Sequence, residues 1–301
     1  MWKYYEMLWA YRLLGWLPDQ VRYGIARVIA DLTYLLGRNM RRNVTANMRQ
    51  VLGPQASKQE VRQCVREAFR NAGRYYADLI HIPHLDIDKF YREKLDLEGL
   101  HYLTEARDSV RGAVVVSAHF GNPEMAVQGL ASQGVLMYAL TEPLDPPQLS
   151  DLTHWLRSRH GHTYRTVSFG AVKEAIRRLK QGGLIAILVD RDIQGNGVPV
   201  QFFGAEMRVP LGAIDLALRS GADIIPAWVW RKPGYRYQVV LGPPLPLVRS
   251  GDADADVRAN AQALMELCER TLRTDPGQWL VMERVWPLPK ESKAPTKPAV
   301  Q

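Results

Sequence analysis

The residues best suited to chemistry are His119 and Glu124, the ends of the run His119-Phe120-Gly121-Asn122-Pro123-Glu124. An imidazole titrates near neutral pH and can take a proton from a hydroxyl once a carboxylate fixes its tautomer. Gly121 permits a tight turn. Asn122 is a good helix cap, and Pro123 suits the first helical position. Glu124 then lies in the first helical turn, where a carboxylate is favoured, and a turn of this size can fold it back onto the ring. This is the base-and-orienter half of a triad, with the nucleophile supplied by the substrate. The plain alternative is a loop histidine satisfied by its neighbours and an acid that serves only the helix start.

Such a pair needs a rigid platform, and the chain predicts one. Apolar, β-branched runs occur at 113–118, 135–140, 184–190, 223–230 and 237–242, with helix patterns at 123–133, 146–159, 170–180 and 210–220. This alternation predicts an α/β fold: a mixed, mostly parallel central sheet flanked by helices. The last two runs, joined across Lys-Pro-Gly, are expected to pair antiparallel. His119 follows the run AVVVSA directly, and open α/β sheets bind ligands beyond the carboxyl ends of their strands. Helices are also expected over 57–81 and 253–274. No linker or repeat divides the chain. We expect one domain over 1–286, with its catalytic core at 97–286, and a disordered Pro- and Lys-rich tail at 287–301.

Residues 1–56 read as N-terminal amphipathic helices that associate with a membrane. Trp2, Tyr5, Leu8, Trp9 and Leu13 recur at helical spacing, and such rings favour the headgroup level. No acid occurs between Asp31 and Glu60, while Arg38, Arg41, Arg42, Arg49 and Lys58 fall in that stretch. With a net charge of +8, an anionic membrane surface is the expected partner. The same aromatics could instead cover the protein's own core. Nucleic acid is not expected, because no recognition motif accompanies the charge. No apolar run is long enough to span a bilayer. Cys64 and Cys268 suggest neither a disulfide framework nor a zinc site, and no metal is expected. The pair His81 and His84 lacks a third ligand nearby. No Gly-x-Ser-x-Gly elbow and no Gly-rich phosphate loop occur.

The run HFGNPE resembles the His-x4-Asp/Glu motif of the lysophospholipid acyltransferase superfamily. More closely, it resembles the branch of bacterial lipid A lauroyl/myristoyl acyltransferases and phosphatidylinositol mannoside acyltransferase, where Trp commonly stands in place of Pro123. Further blocks resemble that branch in order: RRNVTANMRQVLG, Arg157-Ser-Arg-His-Gly161, VDRDIQGNGVPVQFFG, RVPLGAIDLALRSGADIIPAW and DPGQWLVMERVW.

The resemblance implies a membrane-associated O-acyltransferase without a covalent intermediate, metal or cofactor. A fatty acyl chain would pass from acyl-CoA or acyl carrier protein to a hydroxyl of a lipid or glycolipid acceptor. His119 would be the general base and Glu124 its orienting partner. Backbone N–H groups around Gly121 and Asn122 are candidate donors to the developing oxyanion. Arg157 could grip a phosphate of the donor. Asp190, Arg191 and Asp192 could bind acceptor hydroxyls or form a structural ion cluster. Phe202, Phe203 and Gly204 could line the acyl chain or belong to the core. The expected place is the cytoplasmic face of a bacterial inner membrane, as a peripheral or monotopic protein. Rival readings are a glycerol phospholipid acyltransferase, a hydrolase using water, and a lipid-binding protein that keeps the fold without the chemistry.

Overall fold

The computed structural model describes residues 1–192, 195 and 197–286. The tail at 287–301, expected to be disordered, lies outside the described residues.

Four helices come first: α1 (Trp2–Leu14), α2 (Asp19–Leu36), α3 (Arg38–Leu52) and α4 (Lys58–His81). Ser57 and Glu60 satisfy each other's backbone N–H groups at the start of α4, a reciprocal cap. The basic run after Gly37 is itself a helix, α3. It buries Val44, Asn47, Met48 and Val51, spaced three and four apart, and turns its arginines away. Two neighbouring faces stay uncovered. α1 exposes Trp2, Tyr5, Trp9 and Leu13, and α2 exposes Val28, Ile29, Leu32, Leu35 and Leu36.

After α5 (Ile87–Lys94), β1 (Leu95–Glu98) and α6 (Leu100–Asp108), strands and helices alternate. They run β2 (Ala113–Ser117), α7 (Pro123–Ala131), β3 (Met137–Thr141), α8 (Pro147–Arg157), β4 (Thr163–Thr166), α9 (Phe169–Leu179) and β5 (Leu184–Leu188). A separate hairpin follows, β6 (Val198–Phe202) and β7 (Ala205–Val209), then α10 (Gly212–Ser220), β8 (Asp223–Lys232), β9 (Arg236–Leu241) and α11 (Ala253–Thr274). The β6–β7 connection is the two residues Phe203 and Gly204, both at positive φ, 51° and 74°. Two such residues match the twist of a tight hairpin.

Seven strands form one sheet in the order β1-β9-β8-β2-β5-β3-β4. Every neighbouring pair is parallel except β8–β9, the antiparallel pair expected across Lys-Pro-Gly. The fold is thus α/β with a mixed, mostly parallel sheet. β2 lies inside it, between β8 and β5, and all five of its residues are buried. That burial explains its unbroken apolar run. Alternate residues of β2 enter different cores, as a period of two requires. Val114 and Val116 join the large cluster with side chains of α3, α4, α9, α10 and α11. Ala113 and Val115 join Leu103, Ala106 and Leu130 from α6 and α7. β2 is therefore clamped from both sides, and the residues just beyond its carboxyl end inherit that rigidity.

Candidate active site

β2 and β5 pair in parallel register with Ser117 opposite Leu188. Carried two residues past the strands, this register sets His119 beside Asp190. The two are joined there: His119 Nδ1 lies 2.8 Å from Asp190 Oδ1, and the His119 backbone N–H donates to Asp190 Oδ2 at 3.0 Å. The indole N–H of Trp279 also donates to Asp190 Oδ2, at 2.8 Å. Burial alone would raise the pKa of Asp190. The neighbouring His119, through its charge and its hydrogen bonds, outweighs this with Trp279 and holds the pKa below the ordinary carboxylate value. An ionised Asp190 must accept, so Nδ1 carries the ring proton and Nε2 is left with a free lone pair. Among the described residues Nε2 has no hydrogen-bond partner, and the ring is 27% exposed.

The expected pairing of Glu124 with His119 is corrected by this geometry. Asp190 already occupies the Nδ1 side, and Glu124 points from the first turn of α7 toward α8 and β4. Arg157 Nε lies 3.2 Å from Glu124 Oε1, and the Tyr164 hydroxyl donates to Oε2 at 2.9 Å. Arg157 in turn donates to the Tyr75 hydroxyl at 2.8 Å. Arg157 and Glu124 are both largely buried. The guanidinium is thus held by a carboxylate and a phenol, and the expectation that it grips a donor phosphate is corrected as well.

The turn between His119 and α7 is fixed from several directions. Gly121 has φ +64°, and a side chain there would strike the carbonyl oxygen of Val229 at 1.8 Å. Its N–H donates to the Gln278 carbonyl at 2.9 Å, so it is not free to stabilise an oxyanion, as the sequence reading proposed. Asn122 caps α7, accepting from the Met125 N–H at 3.3 Å, and its side-chain amide donates to Asp78 Oδ2 at 2.7 Å. Asp78, on α4, also accepts from Tyr23, Tyr237 and Arg231. This buried network ties α2, α4, β8 and β9 to the turn that follows His119. Asn122 is fully buried and acts as a structural anchor.

The remaining expected residues divide. Arg191 pairs with Glu283 at 2.9 Å and lies 3.8 Å from Glu142. Asp192 turns away and closes its own loop, accepting from the Gly195 and Gly197 N–H groups at 3.0 and 2.8 Å. Phe202 and Phe203 are buried core side chains, the second of the two readings open to them. Phe202 packs against Trp279 and Trp286. Gly204 serves the hairpin turn.

Glu142 and Trp279 were missed in the sequence, and Asp190 was a candidate there in another role. The role of Asp190 as the histidine's partner follows from strand register and was open to reading, since LIAILVD ends as far beyond its strand as AVVVSAH does. Glu142, one residue past β3, stands at the same sheet edge. Burial raises its pKa, and it feels the charges of Arg191 and His119. Trp279 arrives from the far end of the chain. The segment carrying it also bridges Phe120 and donates the Leu280 N–H to the His119 carbonyl at 2.7 Å.

A histidine on a buried aspartate, at the carboxyl edge of an α/β sheet, is the arrangement that general-base chemistry requires. Comparison with known proteins supplies the class: the protein is an acyltransferase. The chain belongs to the bacterial lipid A biosynthesis acyltransferase family, whose model matches residues 1–287. It is similar to the phosphatidylinositol mannoside acyltransferase of Mycobacterium tuberculosis (strain CDC 1551 / Oshkosh), with 28% identity over 247 residues covering 80% of this chain and 75% of that protein. The protein of the same name from Mycolicibacterium smegmatis is 26% identical over 280 residues, 92% of this chain and 88% of that one. The lipid A biosynthesis palmitoleoyltransferase of Escherichia coli (strain K12) is 23% identical over 290 residues, 93% and 90% of the two chains.

Proposed function

We propose that this protein transfers a fatty acyl chain from a thioester donor, acyl-CoA or acyl carrier protein, to a hydroxyl of a glycolipid at a membrane surface. The observation that carries the mechanism is the 2.8 Å bond between His119 Nδ1 and buried Asp190, with Nε2 unengaged. Nε2 takes the proton of the acceptor hydroxyl as its oxygen attacks the thioester carbonyl carbon. The tetrahedral intermediate expels the thiolate, the C–S bond breaks, and the imidazolium returns its proton to the departing sulfur. Asp190 holds the ring and stabilises its positive form. Glu142 adds a second acid at the same edge. The Glu124–Arg157–Tyr164 cluster braces α7 against α8 and β4.

The glycolipid acceptor rests on the relatives, which are named for phosphatidylinositol mannoside and lipid A. Membrane association rests on the exposed aromatic and aliphatic faces of α1 and α2. Among the described residues no helix is long and apolar enough to cross a membrane, which fits a peripheral mode. A thioester donor made in the cytoplasm places the reaction on that face.

Thiol release from palmitoyl-CoA, with and without a panel of glycolipid acceptors, tests the reading. Release stimulated by one acceptor and lost in His119→Ala is the expected result. Release that ignores both acceptor and His119 would remove it.

A further inference from the structure

A groove of about 1050 Å³ runs between α2, α3 and the start of α4, with Arg284 on its rim. It is sized for a small ligand. Its lining includes Arg38, Arg42, Arg49, Lys58, Arg62 and Arg284 and contains no Asp or Glu. Arg41 and Arg66 line it too but are engaged, Arg41 with the carbonyls of Tyr34 and Leu35 and Arg66 with Asp31. Among the described residues, Arg38, Arg42, Arg49, Lys58 and Arg62 form no ion pair. Like charges held together without counter-charge repel one another, and a bound polyanion relieves that repulsion.

The groove is connected to the catalytic residues. Arg284 follows Glu283, which pairs with Arg191, and Arg191 is next to Asp190. Asn47 of α3 fastens this segment by donating to the Glu283 carbonyl at 2.7 Å and accepting the Val285 N–H at 3.1 Å. Arg284 stands five positions after Trp279, which touches Asp190, so their Cα atoms lie at most about 18 Å apart. An extended phosphopantetheine arm has that reach. Arg157 is closed within a buried pair, so the donor's phosphate has to be held elsewhere.

Resting on the acyl-transfer reading above, we propose that this groove binds the phosphates at the head of the donor's phosphopantetheine arm. The arm runs from there along residues 279–284 and presents its thioester to His119. Coenzyme A and acyl carrier protein share this chemistry. A concave, ligand-sized site between helices suits a compact phosphate group better than it suits a flat lipid surface, and of the uncovered side chains named on α1 and α2 only Leu35 lines it.

The test is calorimetric binding of coenzyme A, and separately of holo-acyl carrier protein, to the full chain. Wild type, the exposed-surface triple variant Arg42→Ala/Arg49→Ala/Arg62→Ala, and His119→Ala are compared, with circular dichroism to check folding. We expect the triple variant to bind one of the two probes about tenfold more weakly or worse, with His119→Ala binding as wild type does. A loss confined to coenzyme A names the nucleotide-bearing phosphates, and a loss confined to the carrier names the single phosphate of its arm. Unchanged binding of both probes, or no binding of either to wild type, overturns the proposal. So does a triple variant that loses only its adsorption to phosphatidylglycerol vesicles. Acceptor-stimulated thiol release that survives in His119→Ala would instead overturn the mechanism while leaving the groove result standing.

Discussion

Asp190 and Glu124 show how two carboxylates near one histidine come to different work. Asp190 is met by the imidazole, the His119 N–H and the Trp279 indole, so it stays ionised and fixes the tautomer. Asp190→Asn keeps the shape but removes the charge, and kcat/KM should fall roughly 10³- to 10⁴-fold with the circular dichroism spectrum unchanged. Glu124 is matched with a buried guanidinium. Glu124→Gln leaves Arg157 without its counter-charge, so the main effect should appear in denaturant unfolding, a loss of about 3 kcal/mol. If Glu124→Gln instead matches Asp190→Asn in activity loss with stability intact, the division of labour drawn here is wrong. The histidine was legible because a β-branched run, a glycine turn and a helix cap meet around it in ten consecutive residues. Its partner was not, because residues 71 apart are matched only by the pairing of non-consecutive strands. The local acid five positions on was the natural choice, and only the packing of α7 against α8 and β4 removes it.

At the scale of elements, the five strands of the alternating core and the long helices were readable from period and β-branching. β1, β4 and the β6–β7 hairpin were not. LDLE and TYRT are four-residue strands, too short to show a period, and they form only because neighbouring strands offer an open edge. A buried histidine gives this edge a pH dependence. His162, just before β4, accepts the Met137 N–H at the start of β3 at 3.1 Å. Burial lowers its pKa to about 4. The unfolded chain takes up this proton near pH 6.5, and the fold resists it down to about pH 4. The contribution is therefore complete above pH 6.5 and is lost as pH falls toward 4, amounting to about 3 kcal/mol. Thermal unfolding from pH 7 to 4 should show this slope, and His162→Asn, which keeps an acceptor for Met137 but does not titrate, should flatten it.

For the whole molecule, α1 and α2 keep large apolar side chains uncovered. Leu32 and Leu36 are each more than half exposed on α2, so replacing both with Ser should leave thermal stability unchanged. On the proposed membrane reading, the same double substitution should weaken binding to anionic vesicles by about tenfold or more in co-sedimentation. Equal vesicle binding by the variant would place the contact elsewhere. Apolar residues at helical spacing made α1 and α2 legible as helices, but only the fold shows which side chains remain uncovered.

The stretch from Trp279 to Trp286 has a consequence in time. The ribosome delivers His119 early and Asp190 soon after, and the two can meet as soon as β2 and β5 pair. The indole that steadies Asp190, the strand bridge to Phe120 and the Arg191 counter-ion are all translated more than eighty residues later. A nascent chain with its sheet already formed therefore still lacks these contacts around His119 and Asp190. On the proposed mechanism, the site is completed only when the last turns of polypeptide thread back across the sheet edge.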